Sequence, residues 1–139
     1  MRKTILVVDD DETLLDCYRL LLETEKTIVY TSNNSDDALD IVKTIHDLDL
    51  VILDYMMPKL RGDELAKQIF EINPQVKIFF ISGYYGAIDQ IKSLNVAVYG
   101  VFQKPVDPEL LERLAETEDY ETLAVGSDNS PTINQYSNI

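Results

Sequence analysis

The sequence predicts an α/β fold, with a parallel sheet covered by helices on both faces. Two observations predict it. Five short runs of β-branched, leucine and aromatic residues alternate with segments whose apolar residues recur at helical spacing, the pattern of strands joined by crossover helices. Two of the runs also stop at carboxylates. Thr4-Ile5-Leu6-Val7-Val8 ends at Asp9 and Asp10, and Leu50-Val51-Ile52-Leu53 ends at Asp54. Acids at the C-terminal edges of buried strands mark where an open α/β sheet binds its ligands.

Each element has its own justification. Strand β1 is Thr4 to Asp9. Leu14, Leu15, Tyr18, Leu21 and Leu22 then form one apolar face of helix α1. Cys17, beside them, reads as a packing residue of that helix. Ile28 to Ser32 is a short β-branched strand, β2. Asn33-Asn34-Ser35 offers an N-cap, and Asp36 and Asp37 fall in a first turn where the helix dipole favours them. Ala38, Leu39, Ile41, Val42 and Ile45 mark α2, with His46 near its C-terminus. Leu50 to Asp54 is β3. Pro58 and Gly62 break the chain, Leu65, Ala66, Ile69 and Phe70 mark α3, and Asn73-Pro74 stops it. Val76 to Ser82 is β4. Gly83 and Gly86 bracket a loop before α4, outlined by Ile88, Ile91 and Leu94, and Val96 to Phe102 is β5. Asp107 caps α5 with Pro108 at its first position, and Leu110, Leu111, Leu114 and Ala115 form its apolar face.

Right-handed crossovers and a reversal beside β1 give the flavodoxin-like strand order 2-1-3-4-5. In that order β1 and β3 are neighbours, so Asp9, Asp10 and Asp54 meet. Strands β4 and β5 bring Ser82 and Lys104 to the same edge. Three close carboxylates repel one another, and a bound divalent cation removes the conflict. Oxygen donors of this kind suit Mg²⁺. The set reads as a phosphoryl-transfer site: Asp54 as nucleophile, Asp9, Asp10 and Asp54 as metal ligands, Ser82 as a hydrogen-bond donor, and Lys104 as a cation beside the transferred group.

Composition narrows the function further. The 139 residues, 45% of them hydrophobic, fit one domain with a real core. With 12 basic and 25 acidic residues the net charge is −13, which argues against direct nucleic-acid binding. No apolar stretch approaches the ~18 residues of a membrane span, and no secretory leader is evident. A single cysteine cannot form an internal disulfide, so a reducing, cytoplasmic setting is expected. Residues 1–121 read as one domain and 122–139, rich in Ser, Asn and Thr, as a disordered tail or linker stub.

At its strand ends the chain resembles the receiver domain of bacterial two-component response regulators, a family that includes the stand-alone chemotaxis receiver. The matching segments are Ile5-Leu6-Val7-Val8-Asp9-Asp10-Asp11, Asp49-Leu50-Val51-Ile52-Leu53-Asp54-Tyr55-Met56-Met57-Pro58, Ile81-Ser82-Gly83 and Lys104-Pro105. The resemblance implies phosphorylation of Asp54 by a histidine kinase or phosphotransfer protein, with Mg²⁺ required and Met56 lending its backbone carbonyl to the metal. It implies a phosphoacceptor that assists its own phosphorylation and dephosphorylation rather than an enzyme. It also implies a cis bond at Lys104-Pro105 and output, including homodimerisation, through an α4-β5-α5 surface. One position departs from the pattern. Three residues before the lysine the family commonly has an aromatic switch, and here stands Val101. Strand alternation would put Tyr99 with Val101 on one face and Phe102 on the other.

Two other readings use the same residues. Asp9-Asp10-Asp11-Glu12-Thr13 fits the D-x-D-x-T motif of haloacid-dehalogenase-like phosphohydrolases, with Asp9 as nucleophile and Asp11 as acid/base. That reading leaves Asp54 to Pro58 unexplained. A receiver-like module that works without phosphorylation is the other, and the intact acidic pocket argues against it. The sequence names neither the kinase nor the output.

Overall fold

The computed structural model describes residues 2–57, 60–83, 91 and 98–117. Its main sheet has five parallel strands in the order 2-1-3-4-5, as the alternation predicts. They are β1 (Lys3–Val8), β2 (Thr27–Ser32), β3 (Leu50–Asp54), β4 (Lys77–Ser82) and β5 (Gly100–Gln103). The helices are α1 (Glu12–Leu22), α2 (Ser35–Thr44), α3 (Gly62–Ile72) and α5 (Pro108–Glu116). The expected α4, the Tyr84-Tyr85-Gly86 loop before it and the tail lie outside the described residues. Ile91, from the expected α4, is buried in the core.

The pleat sorts the core into two layers. Leu6, Val8, Val51, Leu53, Ile78, Phe80 and Val101 face α2 and α3, while Ile5, Val7, Leu50, Ile52, Phe79, Ile81 and Phe102 face α1 and α5. The central strands are buried on both sides, which is why they read as continuous apolar runs rather than as alternating ones.

The caps follow the sequence signals. Asn34 accepts from the Asp37 N–H at 2.8 Å, and Asp107 accepts from the Glu109 N–H at 2.9 Å. Helix α2 ends at Thr44 with Ile45 as C-cap, so His46 falls just past the helix, exposed. Cys17 corrects the expectation made for it, because it is exposed. The buried face of α1 is Leu15, Tyr18 and Leu22. A residue two positions from Leu15 is rotated about 200° round the helix, onto the solvent side.

Two further features were not expected. The C-terminal end of α5 is tied to the start of the sheet. The Lys3 ammonium donates to the Leu114 carbonyl at 2.9 Å and to the Thr117 carbonyl, and the Thr27 hydroxyl donates to the Ala115 carbonyl at 3.3 Å. These groups satisfy carbonyls that a helix end leaves without internal partners, and the cation suits the negative end of its dipole. The second feature is a two-rung antiparallel ladder that pairs Met56 with Arg61 and Met57 with Leu60, directly after β3.

Tyr99 also departs from expectation. It precedes β5, so strand alternation does not govern it, and its half-buried ring touches both layers. The ring lies 6.1 Å from Phe79, with the Lys77 ammonium 5.6 Å from its centre. Val101 and Phe102 do face opposite sides, as expected. Phe79 also stacks on Phe102 at 5.4 Å, and a Cβ on Gly100 would come within 2.9 Å of the Phe79 ring.

Candidate functional site

Strand register assembles the site. Val8 pairs with Leu53, so Asp9 and Asp54 follow side by side. Asp54 pairs with Ile81, so Ser82 is next along that edge. Ser82 pairs with Gln103, and Lys104 follows. The Lys104 N–H also donates to the Ser82 carbonyl at 2.9 Å, and the Lys104-Pro105 peptide is cis, as the resemblance implied.

The expected residues converge. Asp9, Asp10 and Asp54 each offer a carboxylate oxygen, all within 4.8 Å of one another. Asp9 and Asp54 are buried and Asp10 is exposed, so the cluster opens to solvent on one side. The Lys104 ammonium sits 2.9 Å from Asp54 Oδ2 and 3.5 Å from Asp9 Oδ2. Ser82 is buried at the same edge. Met56 presents its backbone N–H to the site, donating to Asp54 Oδ1 at 3.3 Å, and the residue is 57% exposed.

Local hydrogen bonds fix the acids. Asp9 Oδ1 accepts from the Asp11 N–H at 2.9 Å. Asp11 in turn caps α1, its Oδ1 accepting from the Thr13 N–H at 2.9 Å and the Leu14 N–H at 3.2 Å. Asp11 is thus committed to the helix start rather than offered as an acid/base.

The electrostatics match the crowding. Asp9 is pushed up to about 6, chiefly by burial and further by the charge of Asp54, against the lowering effect of the Asp11 N–H and of Lys104. Burial pulls Lys104 down, but the hydrogen bond it donates to Asp54 and the charges of Asp54 and Asp9 more than offset it, and its pKa is raised. One ammonium therefore serves two buried carboxylates, leaving the cluster net negative.

Two contributors escaped the sequence reading. Gly62 was read as a chain break, yet it is buried as the first residue of α3. A Cβ there would lie 2.6 Å from the Asp54 carbonyl oxygen and 2.9 Å from the Tyr55 Cα. Tyr18 was counted only as one apolar position of α1. It is buried in the core layer that contains Ile81 and Phe102, and the charges of Asp9 and Lys104 act on it.

A family model, the response regulator receiver domain, matches residues 5–116. The chain belongs to the response regulator receiver family. Among its relatives is the alkaline phosphatase synthesis transcriptional regulatory protein PhoP of Bacillus subtilis. It is 32% identical over 108 residues, covering 78% of this chain and 45% of PhoP. The cell cycle response regulator CtrA of Brucella ovis is 26% identical over 111 residues, 79% of this chain and 47% of CtrA. The receiver thus spans about half the length of the curated relatives it matches. Among solved structures, the CheY-like receiver domain protein from Methanospirillum hungatei JF-1 superposes with a TM-score of 0.73 at 30% identity, covering 84% of this receiver and 93% of that chain. These matches agree with the receiver reading and lend no support to the phosphohydrolase or the phosphorylation-independent one. Among the described residues, no helix is long and apolar enough to cross a membrane.

Proposed function

We propose that this receiver takes a phosphoryl group on Asp54 from a histidine kinase or phosphotransfer protein, with Mg²⁺ held by Asp9, Asp10, Asp54 and the backbone carbonyl of Met56. The observation that supports it best is the Lys104 ammonium, 2.9 Å from Asp54 and 3.5 Å from Asp9, in a pocket where three carboxylates converge. The donor set fits the ion. All of it is oxygen, and the oxygens lie within 4.8 Å of one another. Two Mg–O bonds span at most about 4.2 Å, so small side-chain rotations suffice. When bound, the cation neutralises the carboxylates and the incoming phosphoryl oxygens.

The chain's own residues supply the rest. An Asp54 carboxylate oxygen bonds to phosphorus as the bond from phosphorus to the donor's imidazole nitrogen breaks. Lys104, already beside Asp54, pairs with the added charge, and Ser82 donates to a phosphoryl oxygen. The receiver is a phosphoacceptor that assists its own phosphorylation and dephosphorylation, not a turnover enzyme, and the cytoplasm is its expected location. Output runs through the α4-β5-α5 surface, where two copies can pair. The net charge of −13 speaks against nucleic-acid contact by the receiver itself, and says nothing of other domains in longer relatives.

Intact-mass analysis after acetyl phosphate and Mg²⁺ tests the reading: one phosphoryl increment on Asp54 is expected, and an increment on Asp9 overturns it. Metal binding gives a second expectation. Asp9 has a folded pKa of about 6 against 3.8 for the free group, so without metal its contribution to stability is lost as pH rises between those values. The metal requires the ionised form. The gain in melting temperature with saturating Mg²⁺ should therefore be roughly 5 °C at about pH 7.5 and much smaller at about pH 5. Thermal melts at both pH values check this, and equal gains at both would count against Asp9 as a ligand.

A further inference from the structure

Tyr18 is the one polar side chain on the buried face of α1, between Leu15 and Leu22. It is 6% exposed and packs in the layer that contains Ile81, Phe102 and Leu111. Its hydroxyl makes no hydrogen bond to any described residue. Phenylalanine would fill the same space with no polar atom to bury, and an unpartnered buried hydroxyl is costly. The resting fold gives this oxygen no use.

Its direction gives it one. Helix α1 is capped by Asp11, whose N–H is bound by Asp9, so the N-terminal end of α1 abuts the acidic pocket. Helical side chains lean towards that end and cover the preceding turn. The tyrosine is thus carried towards Asp9 and Lys104. The surroundings agree: burial first, then the charge of Asp9, lift the phenol to about 12, and Lys104, Asp54 and Asp11 act on it as well. The hydroxyl stays neutral and protonated.

An ammonium has three donors. In the resting pocket Lys104 directs one to Asp54 at 2.9 Å and faces Asp9 at 3.5 Å. Once Asp54 is phosphorylated and Asp9 is engaged by a cation, both carboxylates have other partners. A neutral oxygen can then hold the ammonium without adding negative charge beside the phosphoryl group.

We propose that Tyr18 is a positioning residue for Lys104, its hydroxyl oxygen accepting from the ammonium in the phosphorylated state and holding it towards the group on Asp54. This rests on Asp54 being the phosphoacceptor. The test uses the full chain with Mg²⁺ and beryllofluoride as the acyl-phosphate mimic. Affinity is read from amide shifts, and the Lys104 ammonium from its own nitrogen signal. Tyr18→Phe should weaken beryllofluoride binding about tenfold and move the Lys104 ammonium signal of the complex, while the ligand-free melting temperature stays equal or rises. In a Lys104→Met background, titrated to higher beryllofluoride, the same change should alter affinity less than about twofold. Unchanged affinity in Tyr18→Phe, or an equal loss in both backgrounds, overturns the proposal. A wild-type chain that binds no beryllofluoride at Asp54 overturns instead the phosphoacceptor reading beneath it.

Discussion

Gly62→Ala is expected to destabilise the receiver by about 3 kcal/mol, at the upper end of what overpacking costs, and to lower its melting temperature by about 10 °C. The reason is local. The added methyl would meet main chain rather than a yielding side chain: the Asp54 carbonyl oxygen at 2.6 Å and the Tyr55 Cα and carbonyl oxygen at 2.9 Å. The Gly62 N–H also donates to that Tyr55 carbonyl at 3.3 Å. Relief requires α3 to withdraw or the end of β3 to shift, and the end of β3 carries Asp54. Stability and phosphorylation should fall together. Gly83→Ala is the control. Among the described residues its Cβ would find only the Lys104 Cβ, at an ordinary 4.0 Å, and its backbone is not in the left-handed region. Urea titration of both variants checks the contrast, and a Gly62→Ala receiver as stable as Gly83→Ala would contradict it.

Asp54→Asn is expected to abolish phosphoryl incorporation from small phosphodonors, because an amide oxygen is not a competent nucleophile. Its effect on stability should be small, within about 1 kcal/mol. The Lys104 ammonium loses its partner at 2.9 Å but keeps Asp9 within reach at 3.5 Å, and Asp9 is freed from the charge that helped raise it. Asp9→Asn should keep the acceptor and weaken the response to Mg²⁺. Mass analysis with and without Mg²⁺ separates the two, and phosphate retained by Asp54→Asn but lost by Asp9→Asn would point back to Asp9 as nucleophile.

Much of this was legible in the sequence because buried parallel strands are simple to read. Leu50 to Asp54 is bounded alike in sequence and structure, since a strand covered on both faces must be apolar until it reaches its edge. Asp9, Asp54 and Ser82 were found for the same reason, as the first polar residues after such runs, and Lys104 follows Gln103 at the end of the next one. What escaped depends on the third dimension. Cys17 and Tyr18 are adjacent in α1, and only packing decides that one faces solvent and the other the core. Gly62 looks like a chain break until the helix is seen to press on the β3 backbone. Lys3 lies more than a hundred positions from the carbonyls it caps, a distance no local pattern spans. Strand β5 was extended too far towards its N-terminus because Val98 is apolar, although the ladder begins only at Gly100.

The tie between Lys3, Thr27 and the far end of α5 changes what motion at the site can become. Helix α5 starts at Pro108, four positions after Lys104, and its last turn is fastened to β1 and β2 at the opposite edge of the sheet. A pull on Lys104 cannot slide such a helix along its axis without breaking that fastening. It can only swing the near end about the far one. Nine residues make a rod of about 13 Å, so a shift of about 1 Å at the phosphorylation site becomes a tilt of about 4°. The acidic edge is the handle and the Lys3 end is the pivot, and α5 is the lever between them.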